Sequence, residues 1–490
     1  MVRRQPRDQF SARLVVEVGG AAACGLFVVA FVIASLWPAR RALRADPMQT
    51  RSGHAGQLLR PVDIIPPMPF PKMLHVKQNF PDRRLADIPG TVQKELGEAG
   101  FGAGLAPGAT VAIGVGSRGI SNIDTIVKSV VSYWTAKGMK PFIFPAMGSH
   151  GAATAEGQAD VLAHYGIMEE PMGCPIRSSL DVISLGRTPE GIEAFLDKHA
   201  SEADGIMLVG RIKQHTDFAG TIESGLFKMM GIGLGKWAGA KNYHTHAYRL
   251  GMEAVIRSVG AQVLGSGKIL GGLAILEDAY HNTAKLSAAP VGKMLAIEEE
   301  LLELTKSWAP ALPADLDVLM IDEIGKHISG AGMDTKVTNR GTQGEYNPWP
   351  NTPRIERVYL RDLSSLSYGN GVGLGLADIV HDRLLARLDT NPTWINALTA
   401  STPSAAKTPI HFASDRECLE RIARTVGKHE ITDVRFGWIE NTLELSHLGL
   451  SENMRAEIEQ NPLLQIVAEA HKLPFDAEGN LPFGVWSGAH

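Results

Sequence analysis

Cysteine is almost absent from this chain: three occur among 490 residues, at Cys24, Cys174 and Cys418. Three cysteines this far apart provide neither a disulfide framework nor the ligand spacing of a zinc site. Such a composition is typical of a protein whose main body works in the reducing cytoplasm.

An excess of charge of one sign is also lacking. The 48 basic and 52 acidic side chains leave a formal net charge of −4, and no long basic stripe occurs. This excludes a protein that coats nucleic acid, because such a protein needs a continuous positive surface. The 44% hydrophobic content excludes wholesale disorder. At ~150 residues per domain, the length predicts two or three domains.

One long apolar run lies near the N-terminus. Residues 14–37 carry a single charge, Glu17, and arginines flank the run on both sides. The run exceeds the ~20 residues that a helix needs to cross a bilayer, so residues 1–45 are predicted to be a transmembrane anchor or a leader. The third alternative is an untranslated extension upstream of a start at Met48 or Met73. With a real anchor, we expect the catalytic body to face the cytoplasm.

A Pro-rich linker at residues 46–72 is followed by alternating strand-like and helical patterns. The strand-like runs are residues 110–115, 141–147, 206–209, 269–276, 318–321, 355–360 and 434–439. The helical patterns are residues 123–137, 155–165, 248–264, 291–308, 376–388 and 417–426. This alternation predicts an α/β fold with mostly parallel sheets. Two prolines within residues 307–315 mark a boundary, so we predict domains at residues 73–310 and 311–490.

The densest group of chemically useful residues is at 210–246. Lys228 lies there among apolar neighbours, a setting in which an amine loses its proton and becomes a nucleophile. A lysine that snorkels from an amphipathic helix gives the same pattern. A Walker nucleotide site is excluded, because Trp237 follows Gly235-Lys236 where the motif needs Ser or Thr. The histidines of this segment are candidate metal ligands: His215, His244 and His246.

Two earlier turns, each between a strand and a helix, carry polar side chains. Arg118 follows the run at 110–115 and is suited to clamp a carboxylate. The alternative is a solvated arginine on a glycine turn. His150 follows the run at 141–147, where an imidazole is exposed for proton transfer. The alternative there is a histidine satisfied locally at a helix start.

The C-terminal half contributes two further glycine-rich segments. Residues 322–341 present a basic set suited to an anionic substrate: Lys326, His327, Lys336 and Arg340. Residues 369–378 superficially resemble a dinucleotide fingerprint, but no clean strand precedes them. We therefore predict a packing turn there.

Together these segments resemble the nickel-dependent lactate racemase family of 2-hydroxyacid racemases and epimerases. The residues that carry the resemblance are Ser117-Arg118, Gly148-Ser149-His150, His215 with Phe218-Ala219-Gly220, Ser224-Gly225-Leu226-Phe227-Lys228 and Asn242-Tyr243-His244. His244 follows Lys228 by 16 residues, as the metal histidine follows the lysine in that family. The resemblance covers roughly residues 100–345 and is most specific at 218–244.

The resemblance implies two α/β domains with the active site in the cleft between them. It also implies a nickel-pincer nucleotide as cofactor, bound covalently to Lys228 with Ser224 and Gly225 beside it. His244 would then be the protein ligand to nickel. The cofactor would supply soft sulfur donors, which together with one imidazole suit that metal. The enzymes that assemble the cofactor are the implied protein partners.

The resemblance further implies an isomerase that acts on a 2-hydroxyacid by hydride transfer to the cofactor. His150 and His215 would be the acid and base, one on each face of the substrate. Arg118 would bind the substrate carboxylate, and Arg340 is the candidate for a second contact from the C-terminal half.

Departures from the family pattern favour a different substrate. Val115-Gly116 replaces an acidic residue, Gly151 replaces an arginine, and the loop between His215 and Lys228 is longer. We expect a bulkier or differently charged hydroxyacid. Two other functions stay open: a non-catalytic protein of the same fold that binds a small anion or nucleotide, and a lysine enzyme that forms a Schiff base.

Overall fold

Two large β-sheets and one two-stranded sheet organise the residues that the computed structural model describes, 69–116 and 119–486. The strands, in chain order, are β1 (Met73–Gln78), β2 (Thr110–Val115), β3 (Lys140–Pro145), β4 (Val182–Arg187), β5 (Glu193–Asp197), β6 (Gly205–Arg211), β7 (Ile269–Glu277), β8 (Thr283–Pro290), β9 (Leu316–Ile324), β10 (Ile355–Leu363), β11 (Ile379–His381), β12 (Ile410–Phe412), β13 (Phe436–Ile439), β14 (His447–Ser451) and β15 (Leu464–His471). The α-helices are Ile88–Glu98, Ile123–Ala136, Ala155–His164, Glu169–Met172, Lys198–Glu202, Leu226–Lys228, Lys236–Leu250, Met252–Leu264, Met294–Trp308, Thr335–Thr338, Asp382–Arg387, Thr390–Thr399, Asp415–Ala423 and Arg455–Gln460.

The first sheet has five strands in the order β3-β2-β6-β7-β8. The first four are parallel, and β8 pairs antiparallel with β7. Strands β2 and β6 are buried along almost their whole length, because helices cover both faces of the sheet. The helix Ile123–Ala136 packs into one core, and Met252–Leu264 packs into the other.

The second sheet has eight strands in the order β12-β11-β10-β9-β13-β14-β1-β15. Strands β9 to β13 are parallel, whereas β14, β1 and β15 run antiparallel to their neighbours. Strand β1 precedes the first sheet in the chain but pairs with β14 and β15. The predicted domain at residues 73–310 thus contains a strand that belongs to the sheet of the C-terminal half.

The α/β prediction with mostly parallel sheets is confirmed, but two predicted helices differ from the structure. The pattern at 248–264 is split at Gly251, whose φ of +81° favours glycine. The pattern at 376–388 opens with β11, and a helix begins only at Asp382. Residues 369–378 are loops that pack backbone to backbone against Gly332, which agrees with a packing turn.

Several sequence predictions fall outside the described residues. They are the apolar run at 14–37, most of the linker at 46–72, and Arg118. Within the described residues, no helix is long and apolar enough to cross a membrane.

A buried ionic cluster attaches the C-terminal segment to the second sheet. Arg361, on β10 and fully buried, donates to both carboxylate oxygens of Asp415 at 3.0 and 3.1 Å and to Asp322 at 2.5 Å. The same guanidinium donates to Pro482 O at 3.0 Å. Burial opposes ionisation of Asp415, but the bonded Arg361 outweighs it and holds the pKa at about 2.

We expect Asp415→Asn to lower the free energy of unfolding by ~3–5 kcal/mol, because it leaves Arg361 with a buried, partly unpaired charge. In the native protein, Asp415 stabilises the fold above its ordinary pKa of 3.8, and this contribution disappears as the pH falls towards 2. Urea titrations between pH 2 and 7 test both effects.

Glu356→Gln, in the exposed Arg354–Glu356 pair, is the matched control and should leave stability unchanged. Equal effects of the two substitutions would contradict the importance of the buried cluster.

Candidate active site

The carboxyl ends of parallel strands from both sheets border one cleft of about 790 Å³. Turns after β2, β3 and β6 form part of its wall, and residues 326–330 after β9 form another part. Ligands of α/β proteins bind at this end of the strands, where the loops carry the variable side chains. The cleft is therefore the candidate active site.

His150 lines the cleft from the turn that follows β3. Gln158, fully buried on the next helix, supports this turn: its Nε2 donates to Met147 O at 3.2 Å and to Gly148 O at 3.1 Å. A Cβ at Gly148 would lie 2.8 Å from the Ile232 side chain, so the turn passes close to the opposite backbone. Packing and hydrogen bonds thus fix the backbone next to His150.

A buried ion pair supports the same turn from beneath. Lys236 Nζ donates to Pro145 O at 2.7 Å and to Gln158 Oε1 at 3.0 Å, and lies 3.3 Å from Asp197 Oδ2. Both charged side chains are completely buried. Burial lowers the pKa of Lys236 and raises that of Asp197, while their mutual attraction opposes both shifts.

His215 lines the cleft from the loop after β6. Glu223, 1% exposed, orders this loop by accepting from His215 N–H at 2.5 Å and from Gly220 N–H at 3.2 Å. The imidazole Nδ1 accepts from Asp217 N–H at 3.0 Å. A neutral His215 therefore carries its proton on Nε2.

The C-terminal half also holds the His215 loop. Thr335 Oγ1 donates to Thr216 O, and Lys336 Nζ lies 3.5 Å from Phe218 O. The Phe218 ring lies 4.5 Å from the His215 ring. Residues from both halves of the chain thus determine the position of the His215 imidazole.

Lys228 lines the cleft at the end of the helix Leu226–Lys228, with Ser224 and Gly225 beside it. A π-helical turn, Met229–Gly233, follows directly. Such turns are rare and occur frequently at functional sites. The structure therefore brings Lys228, Ser224 and Gly225 into the same cleft as His150 and His215.

Glu298 stabilises the start of the Lys228 helix. Its Oε2 accepts from Phe227 N–H at 2.9 Å, and burial raises the pKa of this carboxyl to about 7. A Cβ at Gly225 would collide with the Glu298 carboxylate, which explains why glycine stands there.

His244 lies away from the cleft. It is exposed on the helix Lys236–Leu250, and its Nδ1 lies 2.7 Å from Ala240 O. It is not among the residues that line the cleft with Lys228. The prediction placed both residues at one cofactor, whereas the helix holds His244 outside the set of residues that line the cleft. Its position does not support a role as metal ligand.

Arg340 is also placed differently from the prediction. It is 1% exposed, and its guanidinium donates to Ile355 O at 2.7 Å and to Glu356 O at 3.0 Å. Asp378 and the Tyr346 ring complete its surroundings. These contacts hold a loop to β10, and they do not support a substrate-binding role.

Three cleft residues were missed by the sequence analysis: Arg211, Glu277 and His281. Arg211 and Glu277, at the ends of β6 and β7, form an ion pair, and Glu277 also accepts from Ser121 N–H at 2.8 Å. A polar residue at the carboxyl end of a buried strand was the available signal. It was overlooked because a lone charge at a strand end resembles an ordinary solvated side chain.

The cleft is predominantly basic. Among its described lining residues, Glu277 is the one carboxylate, against Arg211, Lys213, Lys228 and Lys326. Four histidines, at 150, 215, 281 and 327, add to this set. A surface of this kind favours a small anionic ligand.

The structure is similar to two solved structures. One is the lactate racemase apoprotein from Thermoanaerobacterium thermosaccharolyticum, at 13% identity and a TM-score of 0.45, covering 76% of this chain and 99% of the other. The second is a structural-genomics protein from Thermotoga maritima, at 12% identity and a TM-score of 0.46, covering 73% and 97% of the two chains. No protein-family model and no curated protein sequence matches this chain.

The described residues contain no cluster of three or more His, Cys, Asp or Glu side chains able to hold a metal ion. The histidines of the cleft therefore do not converge on one metal position by themselves.

We expect Lys236→Met to destabilise the protein by ~3–5 kcal/mol, because Asp197 keeps a buried charge without its partner. Amide exchange at residues 146–150 should accelerate, since the turn loses its support. Lys236→Met/Asp197→Leu should regain part of the stability in a double-mutant cycle.

Lys241→Met, at an exposed position of the same helix, is the control for this experiment. Unchanged exchange in the turn of Lys236→Met would show that Lys236 does not position His150.

Proposed function

We propose that this protein is an isomerase that racemises or epimerises a small anionic 2-hydroxyacid in the cleft. The observation that carries the proposal is the presence of His150 and His215 on one basic cleft. They follow β3 and β6, which flank β2 in the sheet. Two strand spacings separate these strands by about 10 Å. The turns that carry the two histidines thus start from strand ends with room for a small substrate between them.

Two histidines suit this reaction because the hydroxyl proton leaves on one face of the substrate and returns on the other. Formation of the planar carbonyl also removes a hydride from the carbon, and the proposed cofactor would have to accept and return that hydride. One imidazole takes the hydroxyl proton when the carbonyl forms, and the other returns a proton when the hydride comes back on the opposite face. A neutral His215 presents Nε2–H, since its Nδ1 is engaged by Asp217 N–H. In our proposal this tautomer gives His215 the donor role and leaves the acceptor role to His150.

The basic side chains of the cleft supply the counter-charge for the substrate carboxylate. Glu277 holds Arg211 in place, and Lys213 and Lys326 contribute further positive charge. A carboxylate contact from Arg118 remains a prediction, because that residue lies outside the described part of the chain.

The proposed cofactor, a nickel-pincer nucleotide tethered to Lys228, fits these residues only in part. Lys228 lines the cleft, as a tether requires, and a π-helical turn follows it. The predicted metal ligand His244 is exposed and does not line the cleft. The protein donor set therefore does not fit the metal, and we derive no step of the reaction through this group. Lys228 remains our proposed attachment point.

His150→Ala and His215→Ala should each lower isomerisation in both directions by at least ~10²-fold, because each turnover needs both imidazoles. Rates are measured from each enantiomer of a 2-hydroxyacid, on protein co-expressed with cofactor-assembly enzymes.

His429→Ala, exposed and outside the cleft, is the control and should keep full activity. Full activity in either cleft variant would refute the two-base assignment. Anion binding without any turnover would instead favour the non-catalytic alternative.

Lys228 in active protein should carry a covalent adduct, measured as added mass on its peptide. Lys228→Arg keeps the positive charge but cannot form the covalent link to the cofactor, so it should lose both the adduct and the activity while remaining folded. Lys241→Arg should keep both. An active enzyme with an unmodified Lys228 would eliminate the tether from the proposal.

A further inference from the structure

A second cavity of about 370 Å³ adjoins the cleft. The two share part of their walls, formed by Arg211, Lys213, Gln214, Glu277, His281 and Leu443. The rest of the second cavity comes from both halves of the chain, including Lys306, Lys336 and Trp349. The shared walls make it a continuation of the cleft.

Lys336 is the unmatched charge of this second cavity. Its Nζ lies over the face of the Trp349 indole, 2.9 Å from the ring centroid, and 3.5 Å from Phe218 O. No carboxylate of the described residues forms a salt bridge with it. Burial lowers the pKa of Lys336 to about 8, which shows how incompletely its charge is compensated.

The other charged groups that face Lys336 already have partners. Lys306 pairs with Glu223 at 3.4 Å and with Glu303 at 2.8 Å. Asp334 accepts from Lys336 N–H at 2.8 Å as the cap of its helix. Asp217 lies beside His215, with 4.0 Å between their side-chain atoms. The remaining carboxylates that line the cavity are engaged as well: Glu277 pairs with Arg211, and Asp278 accepts from the backbone N–H groups of Arg83, Tyr280 and Asn282. Lys336 is therefore a cation of this cavity with which a ligand carboxylate can pair.

We propose that the second cavity binds a distal anionic group of the substrate, with Lys336 as its counter-charge and Trp349 as its apolar wall. The substrate class is then a 2-hydroxyacid with a second carboxylate, whose reacting end lies in the cleft near His150 and His215. This inference rests on the proposed function, which it deepens by naming the substrate class.

The geometry also gives the direction of a pH dependence. A distal anion binds the protonated amine, so affinity is greatest below pH 8 and falls as the pH rises above it. Binding in turn raises the pKa of Lys336, because a nearby negative charge favours the ammonium form. The neighbouring Glu223, Asp334 and Asp217 favour the ammonium form too, whereas Lys306 opposes it.

Calorimetric titration of the full chain at pH 7 tests the proposal. The probes are lactate, malate, 2-hydroxyglutarate and 2-hydroxyadipate, with a phosphorylated hydroxyacid as a separate arm. We expect one dicarboxylate length to bind ~10-fold to ~100-fold more tightly than lactate, the range of a hydrogen bond to a charged group. Tighter binding in the phosphate arm would identify the distal group as phosphate and would overturn the dicarboxylate class.

Lys336→Met should abolish the preference for a dicarboxylate over lactate, and Lys336→Arg should retain most of it. Lys241→Met is the matched control. Thermal unfolding of each variant shows that the fold is intact. Isotope-labelled, reductively methylated protein should show the Lys336 signal titrating near pH 8 and shifting upward with dicarboxylate.

Equal binding of lactate and every dicarboxylate, or an unaltered preference in folded Lys336→Met, would overturn the inference. Failure of the proposed function has a different signature. In that case no hydroxyacid is isomerised, yet dicarboxylates still bind through Lys336.

Discussion

The ion pair between Lys236 and Asp197 is the interaction on which the cleft depends. Neither charge reaches water, so each is stable in the core only while the other is present. The Lys236 ammonium also donates to Pro145 O and to Gln158 Oε1. Gln158 in turn donates to two carbonyl groups of the turn that carries His150. A charge that is costly to bury thereby fixes a turn that would otherwise be free to move.

The same design recurs at the other candidate site residues. Glu223 is buried beneath the His215 loop, and Glu298 is buried beneath the helix that bears Lys228. Each buried carboxylate accepts backbone N–H groups that no secondary structure satisfies. The candidate site residues thus lie on loops and short helices that buried carboxylates hold in place.

The strand-end rule accounts for what could be predicted from the sequence. The apolar runs at 141–147 and 206–209 indicated where buried strands end, so His150, His215 and Lys228 were predicted as site residues from the turns and helices that follow such strands. Helical positions are harder to predict: the family resemblance assigned His244 and Lys228 to one cofactor, but only packing decides which face of a helix meets the site. The burial of Arg340 was equally hard to predict, because a guanidinium that donates to backbone carbonyls and one that binds a ligand can have the same local sequence.

Long-range strand pairing was beyond local sequence patterns. The local sequence of β1 does not indicate that it pairs with β14 and β15, because its partners lie hundreds of residues further along the chain. Arg211 and Glu277 were missed for a similar reason, since their ion pair joins the ends of two strands that the chain visits separately.

The place of β1 has a consequence for biosynthesis. His75 on β1 meets His447 on β14, 372 residues further along the chain. At roughly 5–20 residues per second, a ribosome needs about 20–75 s between making the two. Throughout that interval β1, with its apolar Met73, Leu74 and Val76, has no sheet to join and is open to pairing with other nascent chains. The first sheet can form as soon as β8 emerges, whereas the second must await nearly the end of translation, so chaperone demand should concentrate on β1.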